Sequence, residues 1–216
     1  MKLSYSYIIL LVFTTALSGC ATPNTNTQDK FLSAAPRSIV VVPVVNKSVE
    51  VTAADYMLST VSIPLAERGF YVFPINLVKR VLEDDGLADS SMVHAASTSK
   101  LASLFGADAV LYINIERWDA QYMFLTTRVT VALTYEIRDG KTDEVLWQNS
   151  ANIVYQPDGG GGGGIGGLIA KAVVAAITKA APNYIPLARQ ANAVALYSYP
   201  GSGIPFGPYK IKEKPL

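Results

Sequence analysis

The sequence is poor in the residues on which most disulfides, metal sites and hydrolytic sites depend. Its 216 residues include one cysteine, Cys20, and one histidine, His94. They can build neither an intramolecular disulfide nor a zinc site, and a serine hydrolase would also need a Gly-x-Ser-x-Gly elbow, which the sequence lacks. We therefore predict a protein that is not an enzyme and has no cofactor, metal or catalytic residue. His94 is interpreted as a surface or capping side chain.

Net charge is small as well. The chain has 18 lysines and arginines against 17 aspartates and glutamates, and removal of residues 1–19 takes away Lys2 and balances the two. A neutral chain lacks the positive field that attracts phosphate backbones, which argues against nucleic acid as a partner.

What the sequence does contain is an N-terminus of the secreted type. Lys2 precedes a short apolar run over 7–13, and Leu17-Ser18-Gly19-Cys20 follows it. This order is typical of a signal peptide, and the apolar run is shorter than the roughly 20 residues that span a bilayer. The cysteine at this point resembles the lipobox of bacterial lipoproteins. That resemblance implies cleavage before Cys20, lipidation of its thiol and new amino group, and anchoring to a membrane.

The same resemblance predicts the membrane. In such lipoproteins, aspartate two positions after the cysteine favours retention in the inner membrane, and this chain has Thr22 there. We therefore expect the outer membrane, with the protein on the periplasmic face or at the cell surface.

Hydrophobic periodicity predicts an α/β fold. The β-branched run 37–45 is typical of a buried strand, and the spacing of apolar residues predicts helices over 53–68, 75–85 and 97–106, with strands at 70–73 and 107–116. From Tyr122 the period becomes two as far as Arg138, and 145–155 pairs back across an Asp-Gly turn. The expected architecture is a mixed sheet with flanking helices and a long antiparallel hairpin.

We divide the chain accordingly. The signal peptide is 1–19, a polar lipid-anchored tether is 20–35, a single α/β domain is 36–200, and an extended tail is 201–216.

A glycine-rich segment, 159–167, is the least ordinary internal feature. The Gly-Lys-Ser/Thr sequence of a nucleotide phosphate loop is missing, so we interpret the segment as a flexible linker. An apolar helix is predicted at 168–181, too short to span a membrane. Packing on its own domain, on a second copy or on a partner remains open, and the candidate interface residues are Leu168, Ile169, Val173 and Ile177.

Several segments together resemble one family of bacterial outer-membrane lipoproteins of unknown function. They are 36–46, 58–67, 69–74, 104–113 and 140–147, together with the glycine-rich segment. The resemblance implies a domain similar to the amino-terminal domain of TolB, with relatives in CsgG-type secretion lipoproteins and in lipoprotein activators of cell-wall synthases. It also implies a homodimer that acts as an interaction module, with envelope lipoproteins of CsgG type as candidate partners. No catalytic residue is transferred from it.

Two alternatives stay open. A peptidoglycan-associated enzyme would require a cleft with perturbed carboxylates, for which Asp84, Asp85 and Asp108 are the candidates. A pore-forming subunit of CsgG type would require two lipid-facing hairpins, whereas the alternating segment 122–155 predicts only one.

Overall fold

The computed structural model describes residues 25–123, 126–155, 184–198 and 201–211. Its helices are α1 (Thr25–Ala34), α2 (Ala53–Glu67), α3 (Ile75–Asp84), α4 (Ser90–Ala95), α5 (Thr98–Phe105) and α6 (Ile185–Tyr197). Its strands are β1 (Ser38–Val41), β2 (Val45–Asn46), β3 (Tyr71–Val72), β4 (Ala109–Met123), β5 (Thr126–Asp139) and β6 (Val145–Tyr155).

The strands form one mixed sheet. Their order is β3-β1-β4-β5-β6, and β2 pairs with β4 beyond the end of β1. The β1, β2 and β3 pairings are parallel, whereas β4, β5 and β6 run antiparallel to their neighbours. The predicted mixed α/β architecture with flanking helices is therefore confirmed.

Helices cover the two faces of this sheet unequally. On the first face, α1, α2 and α6 bury apolar side chains from β1, β4, β5 and β6 in one large core. On the second face, α3, α4 and α5 bury side chains of β1 and β4, and the buried residues of that core include none from β5 or β6. The second face of β5 and β6 is thus left without a helix among the described residues.

Alternation along β5 follows the predicted pattern. The five residues on its apolar side are all buried, at 0–1% exposure: Val129, Val131, Leu133, Tyr135 and Ile137. The polar side chains that alternate with them lie on the uncovered second face, as expected for an antiparallel strand covered on one side.

Local structure agrees with the sequence at one proline and differs from it at another. The run 37–45 is split into β1 and β2 around Pro43, which has no N–H to donate to a ladder, as predicted from that proline. Helix α2 runs through Pro64 as one helix, whereas the proline pattern also allowed a second helix to begin there. Leu77 of α3 was expected to face inward, and this is wrong, since its side chain is 55% exposed while Val78 and Leu82 are the buried residues of that helix.

Strand β4 is longer than predicted, and this changes the topology. It continues to Met123 and pairs with β5 along its whole length, with a register shift between Ile115 and Arg117. The sheet therefore contains two consecutive hairpins, β4–β5 and β5–β6, where the sequence predicted one. Helix α4 was also missed, although Asp89 caps it by accepting hydrogen bonds from the N–H groups of Ser91 and Met92.

The segment predicted as a tether, 20–35, is partly folded against the domain. Helix α1 occupies Thr25–Ala34, and its Phe31 is 2% exposed. The Phe31 ring packs edge-on against that of Phe70, with centroids 5.8 Å apart. Burial of a phenylalanine contributes about 1.5–3 kcal/mol, so this contact holds the helix on the core.

Residues 201–211 contain neither helix nor strand, and they pack on the domain. The Trp147 Nε1–H donates to Ser202 O at 3.0 Å, and Ile204 is fully buried. Further along, the Gly207 N–H donates to Arg68 O at 2.8 Å, and the Tyr209 N–H donates to Gly69 O at 3.0 Å.

Gly69 makes this docking possible. Its φ is +92°, in the left-handed region, and a Cβ built on it would lie 2.2 Å from the backbone nitrogen of Lys210. Gly86 is a natural comparison, because its φ is +83° but a Cβ there would meet nothing within 4 Å. The two glycines share the backbone requirement and differ in the space beside them.

We expect Gly69→Ala to destabilise the protein more than Gly86→Ala. Both changes place alanine in a left-handed conformation, which costs about 1–2 kcal/mol. Only Gly69→Ala also forces the segment around Lys210 away, adding about 1–3 kcal/mol for overpacking. Urea denaturation measures the difference, and limited proteolysis should cut the C-terminal segment faster in Gly69→Ala. Equal losses of stability in the two variants would contradict the packing described.

Candidate functional site

A polar groove lies where the helices of the second face end. It has a volume of about 1170 Å³ and is bounded by the α4–α5 connection, the uncovered face of β4, β5 and β6, and, beyond β6, Gln28 and the turn at Gly201. We call it the sheet groove. It is larger than a second concave site, which Glu67, Arg68, Tyr197 and Phe206 line.

Strand register fixes the floor of the sheet groove. Asn114 of β4 lies opposite Thr134 of β5, which lies opposite Ser150 of β6. A second row contains Tyr112, Glu136 and Gln148 in the same order. Adjacent strands are about 4.8 Å apart, so the floor is a grid of hydroxyl, carboxamide and carboxylate groups.

One wall of the sheet groove is a hydrogen-bond chain that begins at a buried threonine and ends at partly exposed charged groups. Thr98, at 2% exposure, bonds through Oγ1 to the Tyr112 hydroxyl at 3.0 Å, and it donates to Asp143. Arg138 donates from Nη1 to Asp143 at 3.2 Å and from Nε to Glu136. The chain joins α5, β4, β5 and the turn after β5, so this wall is held by both secondary structure and side chains.

The ionised groups of this wall are hydrogen-bonded to one another. Hydrogen bonds from Thr98 and then from Arg138 lower the pKa of the Asp143 carboxyl. The hydrogen bond to Glu136 raises the pKa of the Arg138 guanidinium, and burial raises that of the Tyr112 phenol. At neutral pH the wall therefore contains a cation at Arg138, a carboxylate at Asp143 and a neutral phenol at Tyr112.

His94 also lines the sheet groove, beside Tyr112. Its Nε2 lies 2.9 Å from Pro43 O, and its ring meets that of Tyr112 edge-on at 5.1 Å. Burial lowers the pKa of the imidazole, more than the Pro43 hydrogen bond raises it. The sequence predicts a surface or capping side chain at His94, whereas the structure places it half-buried in the groove wall.

The carboxylates named for an enzymatic cleft lie apart, in structural contacts. Asp84 pairs at 3.3 Å with Arg80, one turn earlier in α3, and Asp85 pairs with Lys100 at 2.9 Å. Asp108 accepts hydrogen bonds at one oxygen from the Arg37 and Ser38 N–H groups and the Ser38 hydroxyl, at 2.9–3.0 Å. Asp108 therefore fixes the start of β1.

The residues with the strongest sequence signals are outside the described residues. They are Cys20, the glycine-rich segment and the candidate interface residues Leu168, Ile169, Val173 and Ile177. In the described ranges, no three histidine, cysteine, aspartate or glutamate side chains lie close enough to hold a metal ion. The sheet groove can bind through hydrogen bonds, and its geometry supplies no nucleophile paired with a base.

Comparison with known proteins assigns the family. The family described as "Putative lipoprotein GNA1162-like" matches residues 28–209. The chain belongs to this family. A lipoprotein of Neisseria meningitidis serogroup B, NMB1124/NMB1162, is 31% identical over 214 residues, which are 96% of this chain and 98% of the relative. The sequence-based assignment to a lipoprotein family of unknown function is confirmed.

A solved structure agrees with the fold. The crystal structure of lipoprotein GNA1162 from Neisseria meningitidis is 34% identical, covering 65% of this chain and 96% of the other, with a TM-score of 0.56. The C-terminal domain of LpoB from Salmonella enterica is 22% identical over 59% of this chain and 93% of that domain, with a TM-score of 0.41. That second likeness is too weak to support a functional argument.

None of the helices in 25–123, 126–155, 184–198 and 201–211 is long and apolar enough to cross a bilayer.

The single histidine makes the environment of the sheet groove measurable. Because the pKa of folded His94 is lowered, the unfolded chain, with an ordinary pKa near 6.5, takes up a proton first as the pH falls. The stability that His94 contributes is therefore present above about pH 6.5 and is lost as the pH falls through the folded pKa. His94→Gln keeps an amide donor for Pro43 O and does not titrate.

We expect the free energy of unfolding to fall less between pH 7.5 and 5.5 in His94→Gln than in the unaltered protein. Urea denaturation at each pH measures this difference, since all other titrating groups are shared. Titration of the single imidazole resonance by NMR should give a pKa below the ordinary value. A pKa at or above 6.5 would show that the ring is not buried as described.

Proposed function

We propose that this protein is an outer-membrane-anchored lipoprotein that acts as a non-enzymatic interaction module, or as a subunit of an envelope assembly or secretion complex. The observation that carries the proposal is the single cysteine, directly after Leu17-Ser18-Gly19, in a member of a lipoprotein family. Thr22 supports the outer membrane rather than the inner. A non-enzymatic role is supported by the sheet groove, whose ionised groups are engaged in structural pairs.

Lipidation at Cys20 would make the attachment lasting. Each buried methylene contributes about 0.8 kcal/mol, and a single acyl chain holds a protein only marginally. The two or three chains that a lipidated amino-terminal cysteine carries multiply that free energy. Anchoring then needs no membrane-spanning helix.

Self-association is part of the proposal. The apolar segment 168–181 has two charged residues, Lys171 and Lys179, and it follows the glycine-rich segment. We propose that Leu168, Ile169, Val173 and Ile177 join two copies into a homodimer or bind an envelope lipoprotein of CsgG type. Apolar side chains of this kind are stabilised by removal from water, whichever protein supplies the second surface.

Cys20→Ser should release the protein from the membrane. Serine has no thiol that could form a thioether to the lipid. We therefore expect the variant in the soluble envelope fraction, while the unaltered protein sediments with outer-membrane density. The matched control combines Cys20→Ser with Ser33→Cys, which restores a thiol within α1, where it should not restore anchoring. The anchor proposal is wrong if Cys20→Ser stays with the membrane.

Deletion of 159–181 should reduce the protein from dimer to monomer, measured on the full chain in detergent by sedimentation velocity. Because a deletion can disturb folding, Val173→Glu with Ile177→Glu provides a second disruption of the same surface. Lys171→Glu with Lys179→Glu is the control, since it also places two glutamates in the segment and leaves its apolar residues in place. An unchanged mass in both disrupted proteins refutes the interface.

A further inference from the structure

The sheet groove is a hydrogen-bonding surface whose charges are already paired. Arg138 lies between Glu136 and Asp143 and donates to both. His94 is uncharged at neutral pH because burial lowers its pKa. A strongly anionic ligand would meet an excess of carboxylate, and a cationic ligand would have to compete with Arg138 for each carboxylate, so ionic recognition is disfavoured at this surface.

The remaining floor groups are of one chemical kind. Asn114, Thr134, Gln148 and Ser150 present carboxamides and hydroxyls, which both donate and accept hydrogen bonds. Asn114 Nδ2 donates to Thr134 Oγ1 at 3.3 Å, which leaves the hydrogen of that hydroxyl available. The Gln148 carboxamide and the Ser150 hydroxyl have no side-chain partner within the described ranges. Groups of this kind match a ligand whose own groups both donate and accept, as alcohols do.

Peptide recognition fits the sheet groove less well. An extended peptide gains affinity by adding a strand to a sheet edge. The edge at the groove is β6, whereas the floor centres on β5, whose backbone is paired with β4 on one side and β6 on the other. Peptides also require apolar pockets for anchoring side chains. The aromatic ring of the floor, Tyr112, is 7% exposed and is covered by His94 and by Arg138, whose guanidinium carbon is 5.9 Å from the ring centroid.

The shape favours an oligomer. Pockets for small ligands have volumes of about 300–1,000 Å³, and the sheet groove is larger at about 1170 Å³. It is also open, running from the α4–α5 connection across three strands to Gln28 and Ser202. An extended chain can contact both rows of the floor, whereas a single sugar ring would touch only a few of these residues.

We propose that the sheet groove binds a neutral oligosaccharide. Hydroxyl and acetamido groups of the glycan bond to Asn114, Thr134 and Gln148, and the wall, with two acidic side chains and one arginine, disfavours anionic polymers. The proposal adds a ligand class to the interaction module described above, and it depends on neither lipidation nor self-association.

The test uses the full-length lipoprotein in a detergent without a sugar headgroup, because a glycosidic detergent would compete. Ligand-observed NMR titrations use two probes, N,N′,N″,N‴-tetraacetylchitotetraose and cellotetraose, so that a preference for the acetamido group is measured directly. We expect saturable binding of at least one probe. Thr134→Val and Gln148→Ala should each raise its dissociation constant about three- to tenfold, the effect of losing one hydrogen bond.

Matched controls lie on the same strands and the same face. Thr130→Val repeats the hydroxyl-to-methyl change on β5 outside the groove lining, and Asn152→Ala removes a carboxamide from β6 outside it. Both should bind as the unaltered protein does. The proposal is overturned if neither probe binds, if the controls weaken binding equally, or if tetra-alanine displaces the bound probe. Cys20→Ser should bind unchanged, so failure of the anchor and failure of the groove are distinguishable.

Discussion

The rest of the structure depends on the hydrogen bonding of β4 along both of its edges. One edge pairs with β1 and, after Pro43, with β2, while the other pairs with β5 for the whole strand. The neighbours of β4 are parallel on one side and antiparallel on the other. This strand therefore joins the part of the sheet that helices cover on both faces to the part that the antiparallel hairpins form. The sheet groove lies along this junction, and its wall and floor therefore share one strand.

Much of the fold was predictable because local periodicity carries it. The alternation from Val129 to Ile137 fixed the faces of β5, and Ser97 and Gly106 marked the ends of α5 as a capping serine and a left-handed glycine. The second half of β4 was not predictable in this way. The register shift after Ile115 changes which side chains face the core, so a period of two fails there although pairing with β5 continues.

The sheet groove could not be predicted from any local pattern in the sequence. The period of two that ends at Arg138 puts Thr134 and Glu136 on the polar side of a strand, and a face that is merely solvated has the same pattern. Their significance comes from Asn114 and Gln148, brought alongside by strand register, and from the α4–α5 wall, which lies far away in the sequence. Conversely, the resemblance to a lipobox at Cys20 rests on four adjacent residues, because a processing enzyme would read such a segment locally, before any tertiary contact exists.

The packing of α1 bears on how a lipidated protein would search for its partners. Helix α1 begins at Thr25, so the five residue steps from Cys20 span at most about 18 Å even when fully extended. A domain held this closely diffuses in a plane rather than through a volume, and partners in the same membrane meet it at a high effective concentration. Modest affinities at each contact would then suffice for stable assembly at the membrane surface.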